Sequence, residues 1–244
     1  MTAEQGPVTP RGGKPVHIWR LRLDWPDEVV AGMAAVLAPD EVERAGRFVF
    51  ERDGRRYTLA RGQLRHILGE WLGVPAREVG FVYGAYGKPR LTGGDAGLEF
   101  NLAHSADLAL AAVTEGGAIG IDIELQRGGI DLEGIARRFF APGEVARWEA
   151  LPLAERPAAF YRCWTRKEAY LKAHGAGLSV ALDSFEVTLR AGEPPRLVWA
   201  ADGTAQEWEL FDVEAPDGFA AAGAVMAEER PVAVVERGEW RPWG

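Results

Sequence analysis

One ordering of elements runs through this chain twice: a strand, then helices, then strands, with the join near Glu115 to Ile119. Val16 to Leu21 reads as a first strand. Pro39-Asp40-Glu41 opens a charged helix reaching about Phe50. Leu59, Leu64, Ile67 and Leu68 fall at helical spacing in a second helix, Arg55 to Leu72. Val79 to Tyr83 looks like a strand and Gly84 to Asp95 a glycine-rich loop. Phe100 to Leu102 and Leu108 to Val113 are short strands flanking a polar turn, His104-Ser105-Ala106-Asp107. Thr114 to Gly117 is a hairpin turn into a strand at Ala118 to Ile123. Helical sequence fills Asp131 to Ala173. Strands return at Ser184 to Leu189, Arg196 to Ala200, Glu207 to Phe211, Phe219 to Met226 and Val232 to Val235. The expected fold is α+β, with two similar halves facing each other. Residues 1–14 form a loose tail, 15–117 one half and 118–244 the other. No residue-level repeat accompanies the pattern, so duplication rests on element order alone.

A chain of 244 residues, 47% of them hydrophobic, is long enough for a substantial core. A formal charge of -8 disfavours non-specific nucleic-acid binding. Cys163 is the single cysteine, so no internal disulfide exists, and its place in an apolar helix beside Trp164 points to packing. No run reaches the ~20 apolar residues of a membrane span, so a soluble cytoplasmic protein is expected.

Asp122 and Glu124 are two apart on a strand and point to the same side, while Ile121 and Ile123 point into the core. Two carboxylates on one face repel unless something positive lies between them. Mg2+ suits them, since it takes hard oxygen ligands and also binds phosphate. A solvated edge strand is the bland alternative. Glu168 sits within the periodic run Phe160, Cys163, Trp164, Ala169, Leu171, with Lys172 one turn on. Glu168 would complete a three-carboxylate site and Lys172 supply a phosphate-facing charge, or the two form an ordinary surface ion pair.

His104 can donate to a phosphate oxygen, or its turn can satisfy itself through Asn101, Ser105 and Asp107. Gly87-Lys88-Pro89-Arg90 is a stiff basic loop in which Lys88 is a phosphate point charge or part of a plain surface turn. Arg44, Arg47, Arg52, Arg55, Arg56, Arg61 and Arg65 interleave with Glu41, Glu43, Glu51 and Asp53, which favours internal ion pairs. Some of those arginines are left to meet a nucleotide phosphate or an acidic partner. No P-loop or dinucleotide fingerprint is present.

These pieces, in this order, resemble the Sfp-type 4'-phosphopantetheinyl transferases over about Ala38 to Leu189. They are Arg47-Phe48 with Asp53 and Arg56, Gly87-Lys88-Pro89, Phe100-Asn101-Leu102-Ala103-His104-Ser105 and Gly120-Ile121-Asp122-Ile123-Glu124. Arg138-Phe139-Phe140 with Glu144, Trp164-Thr165-Arg166-Lys167-Glu168 to Lys172, and Gly175-Ala176-Gly177-Leu178 complete the set. The resemblance implies a pseudo-twofold monomer with coenzyme A in the cleft between halves. It implies transfer of phosphopantetheine from coenzyme A to a serine of an apo acyl, peptidyl or aryl carrier protein. Such carriers belong to polyketide synthases, nonribosomal peptide synthetases or fatty-acid systems, often in secondary metabolism. The rival readings are a metal-dependent phosphohydrolase and a non-catalytic module that binds coenzyme A or carrier.

Residue by residue, the resemblance makes Asp122, Glu124 and Glu168 the ligands of Mg2+, with Mn2+ also suited. It makes Glu168, Asp122, Lys172 and His104 catalytic. The coenzyme A contacts it implies are Arg44, Arg47, Arg52, Arg56, Tyr86, Gly87, Lys88, Pro89, Ala103, His104, Ser105, Asp122 and Lys172. Glu144 matches an acidic position near the metal. Ala103 stands where relatives often carry Ser or Thr, and Glu41 where some carry a basic residue. Carrier docking is expected at Ile130 to Leu151, steered by Arg137 and Arg138, with at least one of Phe139 and Phe140 in the core.

Overall fold

A computed structural model describes residues 14–84, 86–93, 97–175, 177, 180–226 and 232–242. Residues 1–13 of the tail expected over 1–14, and Ala176, Leu178 and Trp243, lie outside these residues.

Strand β1 (Val16–Arg22) leads into α1 (Asp27–Ala34), α2 (Pro39–Gly46) and the long α3 (Glu51–Leu72). Strands β2 (Phe81–Tyr83), β3 (Pro89–Leu91), β4 (Glu99–Ser105) and β5 (Leu108–Thr114) follow. The order then recurs: β6 (Ile119–Leu125), α4 (Leu132–Phe139), α5 (Pro142–Glu149), the long α6 (Arg156–His174), and β7 (Phe185–Val187), β8 (Leu197–Ala200), β9 (Trp208–Asp212) and β10 (Phe219–Met226). Pairing recurs as well, β1-β5-β4 in one sheet and β6-β10-β9 in the other, while β2-β3 and β7-β8 form separate ribbons. The final strand β11 (Val234–Glu239) leaves the second run and pairs in parallel with β1.

Alternation divides the apolar residues among three cores. Leu59, Leu64, Ile67 and Leu68 of α3 pack with Leu21, Phe100, Ala109 and Ala111 of the first sheet. Phe160, Cys163, Ala169 and Tyr170 of α6 pack with Phe185, Leu210 and Ala224. Ile121 and Ile123 enter a third core shared by both sheets with Ile18, Leu110 and Ala112. Burial lifts the Cys163 thiol well above its ordinary range, which fits a packing role.

Several local expectations change. The helix expected to reach Phe50 stops at Gly46, and Phe50 turns extended to begin α3. Val49 is 90% exposed, so this β-branched and aromatic run has no face on which to pack as helix. The loop at 84–95 contains β3. His104 and Ser105 belong to β4 rather than to a turn, which is reduced to Ala106 and Asp107 with Ala106 at φ 52°. Helix α1 was not expected; Val29 and Met33 bury one face of it.

Candidate active site

Strand β6 and helix α6 build the site because Gly120 lets them touch. A side chain there would lie 2.1 Å from the Ala169 carbonyl oxygen and 2.3 Å from the Ala173 nitrogen. With only hydrogen at that Cα, α6 lies against the strand face that carries Asp122 and Glu124. Lys172 then reaches Asp122, its Nζ 2.5 Å from Oδ1. Asp122 is 4% exposed, and its Oδ2 is buried without a hydrogen-bond partner. Its carboxyl is pushed up to about 7, chiefly by burial; Glu124 and Glu168 add to the rise and Lys172 opposes it. Burial, reinforced by Glu124 and opposed by Lys172, also raises Glu168.

Edge strand β4 runs beside β6 and joins it through side chains. The Ile121 amide donates to Asn101 Oδ1 at 2.9 Å and the Leu125 amide to Ser105 Oγ at 3.1 Å. The Ser105 hydroxyl in turn donates to Glu124 Oε2 at 2.9 Å. Ser105 therefore positions a carboxylate. Ala103, on the same face of β4, is buried in the shared core. His104 lies on the other face, its imidazole held below its usual range by desolvation and by the charges of Lys172 and Arg56.

A cleft of about 580 Å3 opens beside α6, lined by Tyr86, Gly87, Lys88 and Pro89 on one side and Glu168, Leu171 and Lys172 on another. Arg138 and Phe139 also line it. Arg44, Arg47, Arg52 and Arg56 do not. Arg44 lies over the Tyr57 ring at 5.5 Å, Arg47 pairs with Glu43, Arg52 with Asp53, and Arg56 with Asp107 at 2.5 Å. Of the interleaved acids, Glu43 and Asp53 are thus in internal pairs, as is Glu41 with Arg61 and Arg65. Lys88 reaches the cleft wall, but its ammonium donates to the carbonyls of Ile119, Lys172 and Ala173 at 3.0, 2.8 and 3.4 Å. In this structure it fastens the end of α6 to β6 instead of presenting a free charge.

Glu144 does not line the cleft. It is fully buried and accepts from Lys167 Nζ at 2.6 Å and from the amides of Val187 and Ala141 at 2.6 and 2.9 Å. Phe140 is core, whereas Phe139 lines the cleft. Arg137 pairs with Glu133 and Glu149. In the sequence Arg138 stands out only as a steering charge for a partner. A guanidinium beside two phenylalanines gives no local sign that the end of α4 opens onto the cleft.

Among the described residues, no three His, Cys, Asp or Glu side chains are gathered as a ready-made metal site. The carboxylates around Asp122 are nonetheless close enough to shift its proton affinity, and one buried oxygen lacks a partner. That donor chemistry fits a hard divalent cation.

Carboxylates and an ammonium beside a cleft in an α+β fold define a protein equipped for phosphoryl-group chemistry. A family model described as the 4'-phosphopantetheinyl transferase superfamily matches residues 118–234. A second, for the N-terminal part of a 4'-phosphopantetheinyl transferase, matches 26–115. The chain is 44% identical over 212 residues to 4'-phosphopantetheinyl transferase HetI of Nostoc sp., covering 86% of this chain and 87% of that protein. It is 34% identical over 154 residues to 4'-phosphopantetheinyl transferase Sfp of Bacillus subtilis strain 168, covering 63% and 66%. The chain belongs to the 4'-phosphopantetheinyl transferase family. Group transfer thereby prevails over the phosphohydrolase and the non-catalytic module. No described helix is long and apolar enough to cross a membrane.

Proposed function

We propose that this protein moves the 4'-phosphopantetheine arm of coenzyme A onto a serine hydroxyl of an apo acyl, peptidyl or aryl carrier protein. Adenosine 3',5'-bisphosphate is released. The observation that carries the reading is the 2.5 Å contact of Lys172 with buried Asp122, with Glu168 one turn back on α6 and both helix residues lining the cleft. Coenzyme A lies in that cleft, between two halves related by a pseudo-twofold, with Tyr86, Gly87 and Pro89 on its nucleotide side. Asp122, Glu124 and Glu168 would hold Mg2+ or Mn2+. When bound, the cation would neutralise diphosphate charge and favour the leaving group.

The chain's own groups do the rest. Glu168, whose proton affinity is raised by burial, takes the proton of the serine hydroxyl. The serine oxygen attacks the phosphorus that carries the pantetheine arm, and the bond from that phosphorus to the bridging oxygen breaks. Lys172 offsets the charge left on the departing bisphosphate, and the neutral His104 ring donates a hydrogen bond to it. Ser105 keeps Glu124 in place through its 2.9 Å hydrogen bond. No covalent enzyme intermediate is needed. Carriers of polyketide, peptide or fatty-acid synthesis are the expected acceptors, and the protein works as a cytoplasmic monomer.

Intact-mass analysis of a panel of apo-carriers tests this. A gain of ~340 Da that needs coenzyme A and a divalent cation, and is lost in Asp122→Ala and Glu168→Ala, is expected. No gain on any peptidyl, polyketide or fatty-acid carrier would overturn it.

A further inference from the structure

We propose that Lys172 is a placeholder: its ammonium occupies the Asp122 carboxylate that the divalent cation would take, and must let go before that cation binds. The inference rests on the metal reading above and gives that site an order of events.

The two partners differ in freedom. The Asp122 side chain is 5% exposed and fixed in the middle of β6, whereas the Lys172 side chain is 31% exposed at the cleft wall. The lysine, on its long flexible stem, is the partner able to move. The pair is also incomplete. Lys172 satisfies Oδ1 of Asp122, while Oδ2 stays buried with nothing to accept from. Buried carboxylate oxygens are normally paired, so one singly charged donor leaves this site underfilled. Glu124 and Glu168 add their charge close by. One ammonium thus stands among three acidic side chains, a set that a divalent cation matches better.

Release also changes the cleft. Lys88 is spent on three backbone carbonyls and Lys172 on Asp122. Both of these cleft lysines are therefore engaged. Once displaced, the Lys172 ammonium stays on the same wall, with a phosphate-bearing ligand as its natural partner. Metal loading thus arms the cleft, and metal and coenzyme A strengthen each other's binding.

The test is titration of Mn2+ into the purified protein without coenzyme A or carrier, with free Mn2+ read by electron paramagnetic resonance. Lys172→Met removes the competing charge and keeps the stem. Its affinity for Mn2+ is expected to rise about tenfold or more over the unmodified protein. Arg138→Gln removes a cleft charge that holds no carboxylate, and should change affinity by less than about twofold. Lys172→Gln, a gentler variant, should move in the same direction as Lys172→Met. Mn2+ should also raise the melting temperature of Lys172→Met more than that of the unmodified protein. Unchanged or weaker binding in both Lys172 variants, equal tightening in Arg138→Gln, or no Mn2+ binding by any of these proteins overturns the placeholder. In each case transfer by the unmodified protein in the mass assay leaves the proposed function standing, so the two fail separately.

Discussion

Glu41 and Glu144 hold the same place in the two runs of elements. Each is the third residue of a helix begun by Ala-Pro, and each accepts from the backbone amide of that alanine, at 2.8 and 2.9 Å. Each is buried and bound by cations from the next long helix, Arg61 and Arg65 for Glu41 and Lys167 for Glu144. The cations then reach carbonyls further along the chain: Arg65 to Val79 at 2.7 Å and Lys167 to Phe185 at 2.7 Å. One carboxylate thus ties two helices to the segment that follows them, once in each run. Burial works against the ionised form of Glu41, but Arg65, the Ala38 amide and Arg61 outweigh it and hold its carboxyl below the usual range. Its acidic identity serves the fold and has no direct contact with the cleft.

Glu144→Gln therefore leaves Lys167 charged and buried without its counter-ion. A loss of about 3–5 kcal/mol is expected, read as a lower urea midpoint. Turnover per folded molecule, measured at low temperature in the mass assay, should be unchanged. A loss of turnover with full stability would return Glu144 to the active site.

Gly120→Ala inserts a methyl where the Ala169 carbonyl oxygen and the Ala173 nitrogen already stand, at 2.1 and 2.3 Å. Helix α6 must retreat and draw Lys172 and Glu168 away from Asp122. Overpacking costs about 1–3 kcal/mol. Misplacement by about 1 Å can slow a positioned reaction on the order of 100-fold, so transfer should fall at least tenfold. Near-normal transfer in the variant would mean that contact between α6 and β6 does not set the geometry.

The pH dependence follows from Asp122, whose carboxyl is raised from 3.8 to about 7. In the folded protein it keeps its proton where the unfolded chain has lost one. Its contribution to stability is therefore fullest below 3.8 and declines as pH rises to about 7. Divalent-metal binding requires the opposite form. Affinity should fall about tenfold per pH unit below about 7 and level off above it, with about one proton released per metal at pH ~6. Calorimetry in two buffers of different ionisation heat measures that proton. Affinity that stays constant across this range would contradict the assignment of Asp122 as a ligand.

The sequence made β6 and α6 legible because their side chains repeat with clear periods: Ile121 and Ile123 against Asp122 and Glu124, and Phe160, Cys163 and Ala169 along one helix. The doubled order of elements was equally visible. The short repeat beneath it was not, since Ala38-Pro39-Asp40-Glu41 and Ala141-Pro142-Gly143-Glu144 share three residues whose meaning appears only when the buried cations arrive from elsewhere. Lys88 reads in the sequence as a phosphate point charge or part of a plain surface turn, because its three carbonyl partners lie 31 to 85 residues away. The end of the helix at Gly46 turned on the absence of a surface for Val49 and Phe50, a tertiary fact. Pairing between β1 and β11 is likewise non-local, and local propensity carries no trace of it.

That last pairing yields the final prediction. Strand β11 covers the outer edge of β1, matching Val16 with Val234 and Ile18 with Glu236. The Trp240 amide donates to the Arg20 carbonyl at 2.9 Å, and its ring packs beside His66 against the α3 core. Arg237 Nε donates to His17 Nδ1 at 3.0 Å. Ending the chain at residue 231 removes these contacts and leaves β1 as a bare edge, prone to pair with other chains. A loss of roughly 3 kcal/mol is expected from the missing ladder bonds and the Trp240 contact. Arg237→Gln should cost less than about 1 kcal/mol, since one partly buried hydrogen bond is at stake. His17 is held below the ordinary imidazole value of 6.5, first by burial and then by the Arg237 charge. The folded state thus favours the neutral ring, and stability from this group is lost as pH falls below 6.5. Urea midpoints of the full-length and shortened chains, with amide exchange along Val16–Arg22, measure the effect. If both midpoint and exchange match the full-length protein, β11 is a passive tail and the first sheet is complete without it.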